Sequence, residues 1–309
     1  MSPLMTAVYA CFVGTGLAIF VEWLSRRERR LLELPASSPS FRWRRGAAVL
    51  IVTAILCGVF HWASVANGCL ETPEVQPSWT GRHWRLAYHL TLICFLIVAT
   101  AIDFDSYTIP DAITVPGSLL GVIGACLIGE AQISHLWVDW SLAIPQIQGP
   151  YIPAWYDSHR VWHALAWSLA GLITGAGITW IARQISSLVL GQEAMGLGDV
   201  TLMAMIGSFL GWQAVTLVFL IAPLTGLIAG VIIRMISGKT YLPYGPWLSI
   251  AAVLVLLTWS TLWQQTRLIF SDWLSVLVLA TVGCVGFVVL LMLLQLYKSI
   301  PTRRNNPVP

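Results

Sequence analysis

Nine apolar stretches, most of them close to the roughly 20 residues that cross a bilayer, follow one another through this chain. They are Leu4 to Trp23, Ala47 to Val65, Leu86 to Ile102, Ala112 to Ile128, Val161 to Ala182, Val200 to Trp212, Ala214 to Ile233, Trp247 to Trp263 and Trp273 to Tyr297. Within hydrocarbon every backbone polar group needs an internal partner, which a helix provides within its own segment. The expected fold is therefore all-α, a polytopic transmembrane helical bundle of about nine spans. Charged residues are 10% of the 309 and hydrophobic ones 57%, against roughly 25% charged in soluble domains. The sixth stretch is short, and its Gly207 and Gly211 suit tight packing inside a bundle, where a helix need not match the lipid thickness.

Lys and Arg concentrate in cytoplasmic loops. With the N-terminus outside and the C-terminus cytoplasmic, the inside loops hold Arg26, Arg27, Arg29, Arg30, Arg42, Arg44, Arg45, Arg183, Arg234, Lys239, Lys298, Arg303 and Arg304, 13 of the 17 basic residues. Arg82, Arg85, Arg160 and Arg267 remain outside. Removing the short sixth span would reverse every later helix and export the basic tail. Leu4 to Phe20 has no basic segment before it and an arginine cluster after it, so it reads as a retained anchor with reversed orientation. The net charge of +3 is dispersed among loops, which argues against nucleic acid as a partner; the lipid bilayer is the expected partner.

Three regions are expected: residues 1–85 with two spans and a short basic loop at 24–46, a core at 86–264 with an external insert at 129–160, and a final span with a basic tail at 265–309. The basic loop fixes topology and could recruit anionic lipid. The insert is rich in Trp and Pro, including Trp137, Trp140, Trp155, Pro145, Pro150 and Pro153, as suits an interfacial surface. The six cysteines form no C-x-x-C pair; no metal site and no cofactor is expected.

Acids beside apolar segments are costly and so tend to be functional. In Ala101-Ile-Asp-Phe-Asp-Ser-Tyr-Thr-Ile-Pro-Asp-Ala112, Pro110 biases Ile109 toward an extended conformation and ends the helix before it. Asp111 can cap the following helix. Asp103 has no such structural reason, because the helix macrodipole disfavours negative charge at a C-terminus; Asp105 faces elsewhere and is secondary. The second acidic stretch is Glu193-Ala-Met-Gly-Leu-Gly-Asp-Val200. Gly196 and Gly198 let a substrate or neighbouring helix approach Asp199 closely, although taken alone the pattern also suits a helix start with Asp199 as its cap. A third element, Leu242-Pro-Tyr-Gly-Pro246, is a rigid helix entry in which Pro246 fits the first helical position. The inferred topology sets Asp103, Asp199 and the turn of Pro243, Gly245 and Pro246 at one cytoplasmic boundary. Two carboxylates sharing a proton can activate water for peptide hydrolysis.

From about Ile102 to Ala251, Asp103 with Ile109-Pro-Asp111, the motif ending Gly196-Leu-Gly-Asp199, and Leu242-Pro-Tyr-Gly-Pro246 resemble the prepilin leader peptidases of type IV pili and type II secretion, intramembrane aspartyl enzymes of the GxGD class. The resemblance implies that Asp103 and Asp199 are the catalytic pair, with Asp111, Pro110, Glu193, Gly196, Gly198, Pro243, Gly245 and Pro246 as supporting motif residues. It implies a multi-pass protein of the bacterial inner membrane, with prepilins or pseudopilins as substrates. Family members usually carry Lys two residues after the GxGD acid, where this chain has Thr201. Many also carry a cytoplasmic domain with two C-x-x-C pairs that is associated with methylating the cleaved pilin; residues 24–46 contain no cysteine, and methyltransferase activity is not expected. Two other readings are an inactive relative serving as an assembly scaffold, and a transporter using its acids as proton or cation sites.

Overall fold

The computed structural model describes residues 3–35, 37–138, 152, 155–191, 193, 195–237 and 243–299. Among them the chain is all-helical: α1 Pro3–Leu31, α2 Pro39–Ala66, α3 Trp79–Ser106, α4 Asp111–Ile128, the single turn α5 Trp155–Ser158, α6 Arg160–Leu190, α7 Leu197–Ser237, α8 Gly245–Ser271 and α9 Trp273–Ser299. Local chemistry sets the ends. Ser38 and Ser78 cap α2 and α3 by accepting from Phe41 N (3.3 Å) and Gly81 N (3.0 Å), and Gly129 and Gly191 end α4 and α6 at φ +66°, a conformation nearly free for glycine.

Seven of these helices are long and apolar enough to cross a membrane. That count differs from nine for two reasons. Residues 4–10 of the first expected span lie outside those whose side chains are described. The sixth and seventh expected spans also share one element, α7, which breaks at Gly211 (φ +78°, ψ 171°). The break reverses the chain. A Cβ on Gly175 of α6 would stand 2.2 Å from Met203 O and 3.0 Å from Val215 Cγ2, so residues on opposite sides of Gly211 meet one point of α6.

Close helix approach holds this hairpin. A Cβ at Gly171 would stand 2.0 Å from Gly207 O, and one at Gly207 2.0 Å from Gly171 O; only glycine at both positions permits that crossing, as at small-residue interfaces in membranes. At its far end the hairpin is tied to the segment after α4. Gln213 Nε2 donates to His135 O (2.8 Å) and Trp212 Nε1 to Leu136 O (2.7 Å), while Trp259 Nε1 of α8 donates to Ile133 O (2.7 Å). The returning arm reaches the start of α8, where Thr225 Oγ1 donates to Trp247 O (3.1 Å). Residues 199 and 225 are therefore both at the end of the bundle from which α8 departs. The core is filled by α3, α7 and α8, with Leu92, Ile93, Phe209, Leu248, Val255 and Trp259 fully buried.

Several local expectations change. α3 begins at Trp79, seven residues before the expected span, and takes in Arg82 and Arg85; Arg85 is buried and Arg82 pairs with Glu71 (2.8 Å). Asp111 does not cap α4: it is the first helical residue, with Pro110 in the cap position and no side-chain cap bond. The fixed φ of Pro110 (−71°) delivers the chain to the helix without one. Of the external insert, Trp140, Pro145, Pro150 and Pro153 lie outside the described residues, as do Lys239, Leu242 and the tail at 300–309.

Candidate active site

α3 ends one turn after Asp103. Tyr107, in the left-handed region (φ +55°), closes the helix by donating its N–H to Asp103 O (2.9 Å). The chain then passes Ile109 and enters α4 through the extended Pro110. This places Asp103 on the buried side of the helix end, 4% exposed, with Ile109 folded beside it, 9% exposed. Asp199 arrives from α7. It is the third residue of that helix, 7% exposed, and accepts a hydrogen bond from Gly196 N–H (3.2 Å) just before the helix starts. That is the reciprocal half of a capping box, so Asp199 caps from inside the first turn rather than from the preceding position. Gly245 arrives from α8 and donates its N–H to Asp103 Oδ2 (3.1 Å).

Ile109 is where the three stretches meet. A Cβ on Gly198 would stand 3.0 Å from Ile109 Cβ and 3.2 Å from its carbonyl oxygen, and one on Gly245 would stand 2.5 Å from Asp103 Oδ2 and 2.7 Å from Ile109 Cδ1. Gly198 and Gly245 are thus glycines because backbone must lie against Ile109 and a carboxylate, an instance where the missing side chain is the functional feature. The two acids are close enough for the Asp103 charge to act on Asp199. Tyr244 completes the surroundings; burial, with the Asp199 charge adding to it, pushes its hydroxyl well above the usual tyrosine range, so it stays a neutral donor.

The remaining motif residues sit around this centre. Pro246 is the second residue of α8, one position later than expected, with Tyr244 in the cap position; Pro243 is buried beside it. Asp111 is exposed at the start of α4. Glu193 is not at the acids: its side chain is 79% exposed and pairs with Arg183 (2.9 Å). Arg183 also donates to Met195 O (3.1 Å) and so ties the loop ahead of Gly196 to α6. Thr201 donates to Gly198 O (3.1 Å), which turns its hydroxyl back onto its own helix.

Asp105 faces away from the acids, as its spacing requires. Its carboxylate, 1% exposed, is held by Arg29 (2.6 Å), Arg45 (2.8 Å) and Ser25. Arg45 also pairs with Glu22. This network ties α1 and α2 to the end of α3 two residues from Asp103. Sequence reasoning missed it, together with Tyr244, Arg183 and the shared contact at Ile109. The signal for Tyr244 was its place between Pro243 and Gly245; the ion-pair network left none, because its members are distant in sequence.

Residues 90–148 and 151–231, which carry both acids and their glycines, match the type IV leader peptidase family. A prepilin leader peptidase/N-methyltransferase of Aeromonas salmonicida is 29% identical over 177 residues, 56% of this chain and 50% of the relative. One from Pseudomonas aeruginosa is 29% identical over 231 residues, 74% of this chain and 63% of the relative. One from Neisseria gonorrhoeae is 24% identical over 217 residues, 70% and 59% respectively. The chain spans about half the length of the first of these relatives and less than two thirds of the others. No solved structure gives a significant match. The matched residues take in α4, α6 and most of α3 and α7, while Gly245 and α8 lie beyond them.

Proposed function

We propose that this chain is a membrane aspartic endopeptidase that cuts the leader from type IV prepilins or type II secretion pseudopilins. Its site would lie at the cytoplasmic face of a bacterial inner membrane. The observation that carries this reading is the convergence at Ile109 of the stretches that hold Asp103, Gly198-Asp199 and Gly245, three stretches that only the fold unites. One carboxylate, ionised, takes a proton from water as it attacks the scissile carbonyl; the other, protonated, donates to the carbonyl oxygen. The pair titrates as a unit, so the roles belong to the dyad and not to either acid alone. Gly245 N–H and Gly196 N–H each hold one carboxylate in place, which supports preorganised acids.

The bilayer and the prepilin or pseudopilin are the proposed partners, with no nucleic acid and no cofactor. The test is cleavage of a prepilin in proteoliposomes. Asp103→Asn and Asp199→Asn should each lower the rate by at least about 10³-fold, within the range general acid–base groups supply, while insertion is unchanged. Wild-type processing by either variant would remove the assignment and leave the scaffold reading.

A further inference from the structure

A second polar site lies away from the acids, where α1 ends and α2 begins. Arg26, Arg29, Arg30 and Arg42, with Leu34 and Ser37, line a cavity of about 240 Å³. Charge compensation there is incomplete. Glu22 serves Arg26, Arg42 and Arg45, the Arg42 contact being long at 3.8 Å, and Asp105 serves Arg29 and Arg45. Four guanidiniums, those of Arg26, Arg29, Arg42 and Arg45, thus share the two carboxylates of Glu22 and Asp105. Arg30 has no ion-pair partner among the described residues, and neither Glu28 nor Glu33 forms one there.

Topology and the helix macrodipole account for basic residues at the end of α1. The macrodipole does not account for Arg42, which comes from the first turn of α2, where positive charge is disfavoured. Arg42 nevertheless lines the same cavity as the arginines of α1. Planar guanidinium forks converging from two helices match the oxygens of a phosphate group in geometry and charge.

We infer that this arginine-lined cavity binds a phosphate group, as a phosphomonoester, a phosphodiester or free phosphate. The cavity sits at the end of apolar helices, where an anionic phospholipid would present its headgroup; soluble phosphate would offer the same oxygens. The inference does not depend on proteolysis. Arg29 is unsuitable for testing it, because Arg29 also holds Asp105 at 2.6 Å.

The test uses the full chain with the paired substitution Arg30→Gln and Arg42→Gln, which leaves every ion pair to Asp105 in place. Native mass spectrometry of detergent-solubilised protein would measure binding of phosphatidylglycerol, phosphatidylcholine and inorganic phosphate. Wild type should hold one phosphatidylglycerol at least about tenfold more tightly than phosphatidylcholine, and the variant should lose that preference, since each charge-assisted hydrogen bond is worth roughly a tenfold change. Competition by inorganic phosphate would show that the shared oxygens are recognised. Phosphate binding without lipid preference, lost in the variant, would assign the site to a soluble ligand. If the pair fails to fold, Arg30→Gln alone serves, its side chain having no ion pair to lose. Equal binding of phosphatidylglycerol and of phosphate by wild type and variant would overturn the site.

Discussion

The backbone N–H of Gly245 and the carboxylate of Asp103, 142 positions apart in the chain, meet at 3.1 Å, and no side chain fits between them. A methyl group at position 245 would lie 2.5 Å from Asp103 Oδ2 and 2.7 Å from Ile109 Cδ1, well inside contact distance. The neighbours of that methyl are a buried carboxylate and a packed side chain, so the relief is a shift of α8 or of Asp103.

Gly245→Ala should therefore lower prepilin cleavage by about 10²-fold, the cost expected of a misplacement near 1 Å, with little change in Tm. Gly198→Ala should act in the same direction through Ile109. Wild-type rates in both variants would show that the close approach does not matter to catalysis.

Asp105 makes the opposite prediction. Its buried carboxylate holds two arginines, and removing one partner of a buried ion pair commonly costs about 3 kcal/mol or more because a charge is left uncompensated. Asp105→Asn should lower thermal stability by an amount of that order, while cleavage per folded molecule stays within a few-fold of wild type. A large loss of catalytic rate at unchanged Tm would place Asp105 in the chemistry instead.

The contrast between these acids shows what the chain discloses on its own. Asp103, Asp199 and the Pro-Tyr-Gly-Pro turn stood out because charge and proline beside apolar helices have few structural uses, and the positions of the spans put them at one end of the bundle. The reversal at Gly211 was legible as a short span followed by a long one, and the non-helical Gly211 separates the two arms. Ile109 was not legible as a hub, since an isoleucine before proline looks like any strand-like linker. The Glu22, Arg29, Arg45 and Asp105 network was equally hidden: periodicity says which face a residue takes, not which helix will cover it.

Orientation of the bundle is a separate expectation, resting on the distribution of Lys and Arg. Glu193 is exposed six residues before Asp199 in the chain, and Ser158 is exposed at the end of α5. In a chain whose native cysteines are replaced, a thiol from Glu193→Cys should be modified only by reagents that reach the cytoplasm, and one from Ser158→Cys by impermeant reagents added outside. The reverse pattern would put the acids on the wrong side of the membrane for a cytoplasmic leader.

The relatives' names couple leader cleavage to N-methylation, and the two activities should separate in this chain. Residues 24–46 contain neither Cys nor His, whereas a structural zinc site takes about four such ligands. The segment is also already committed to structure: it is the end of α1 as far as Leu31, a short link, and the start of α2 at Pro39, with Arg29 and Arg45 bound to Asp105. A link this short cannot form a core of its own, since folds under about 40 residues usually need metal or disulfides. Purified protein given a prepilin and labelled S-adenosylmethionine should therefore release an unlabelled mature pilin. Stoichiometric label in that product, retained after the protein is repurified, would mean that a methyl donor binds elsewhere in the bundle.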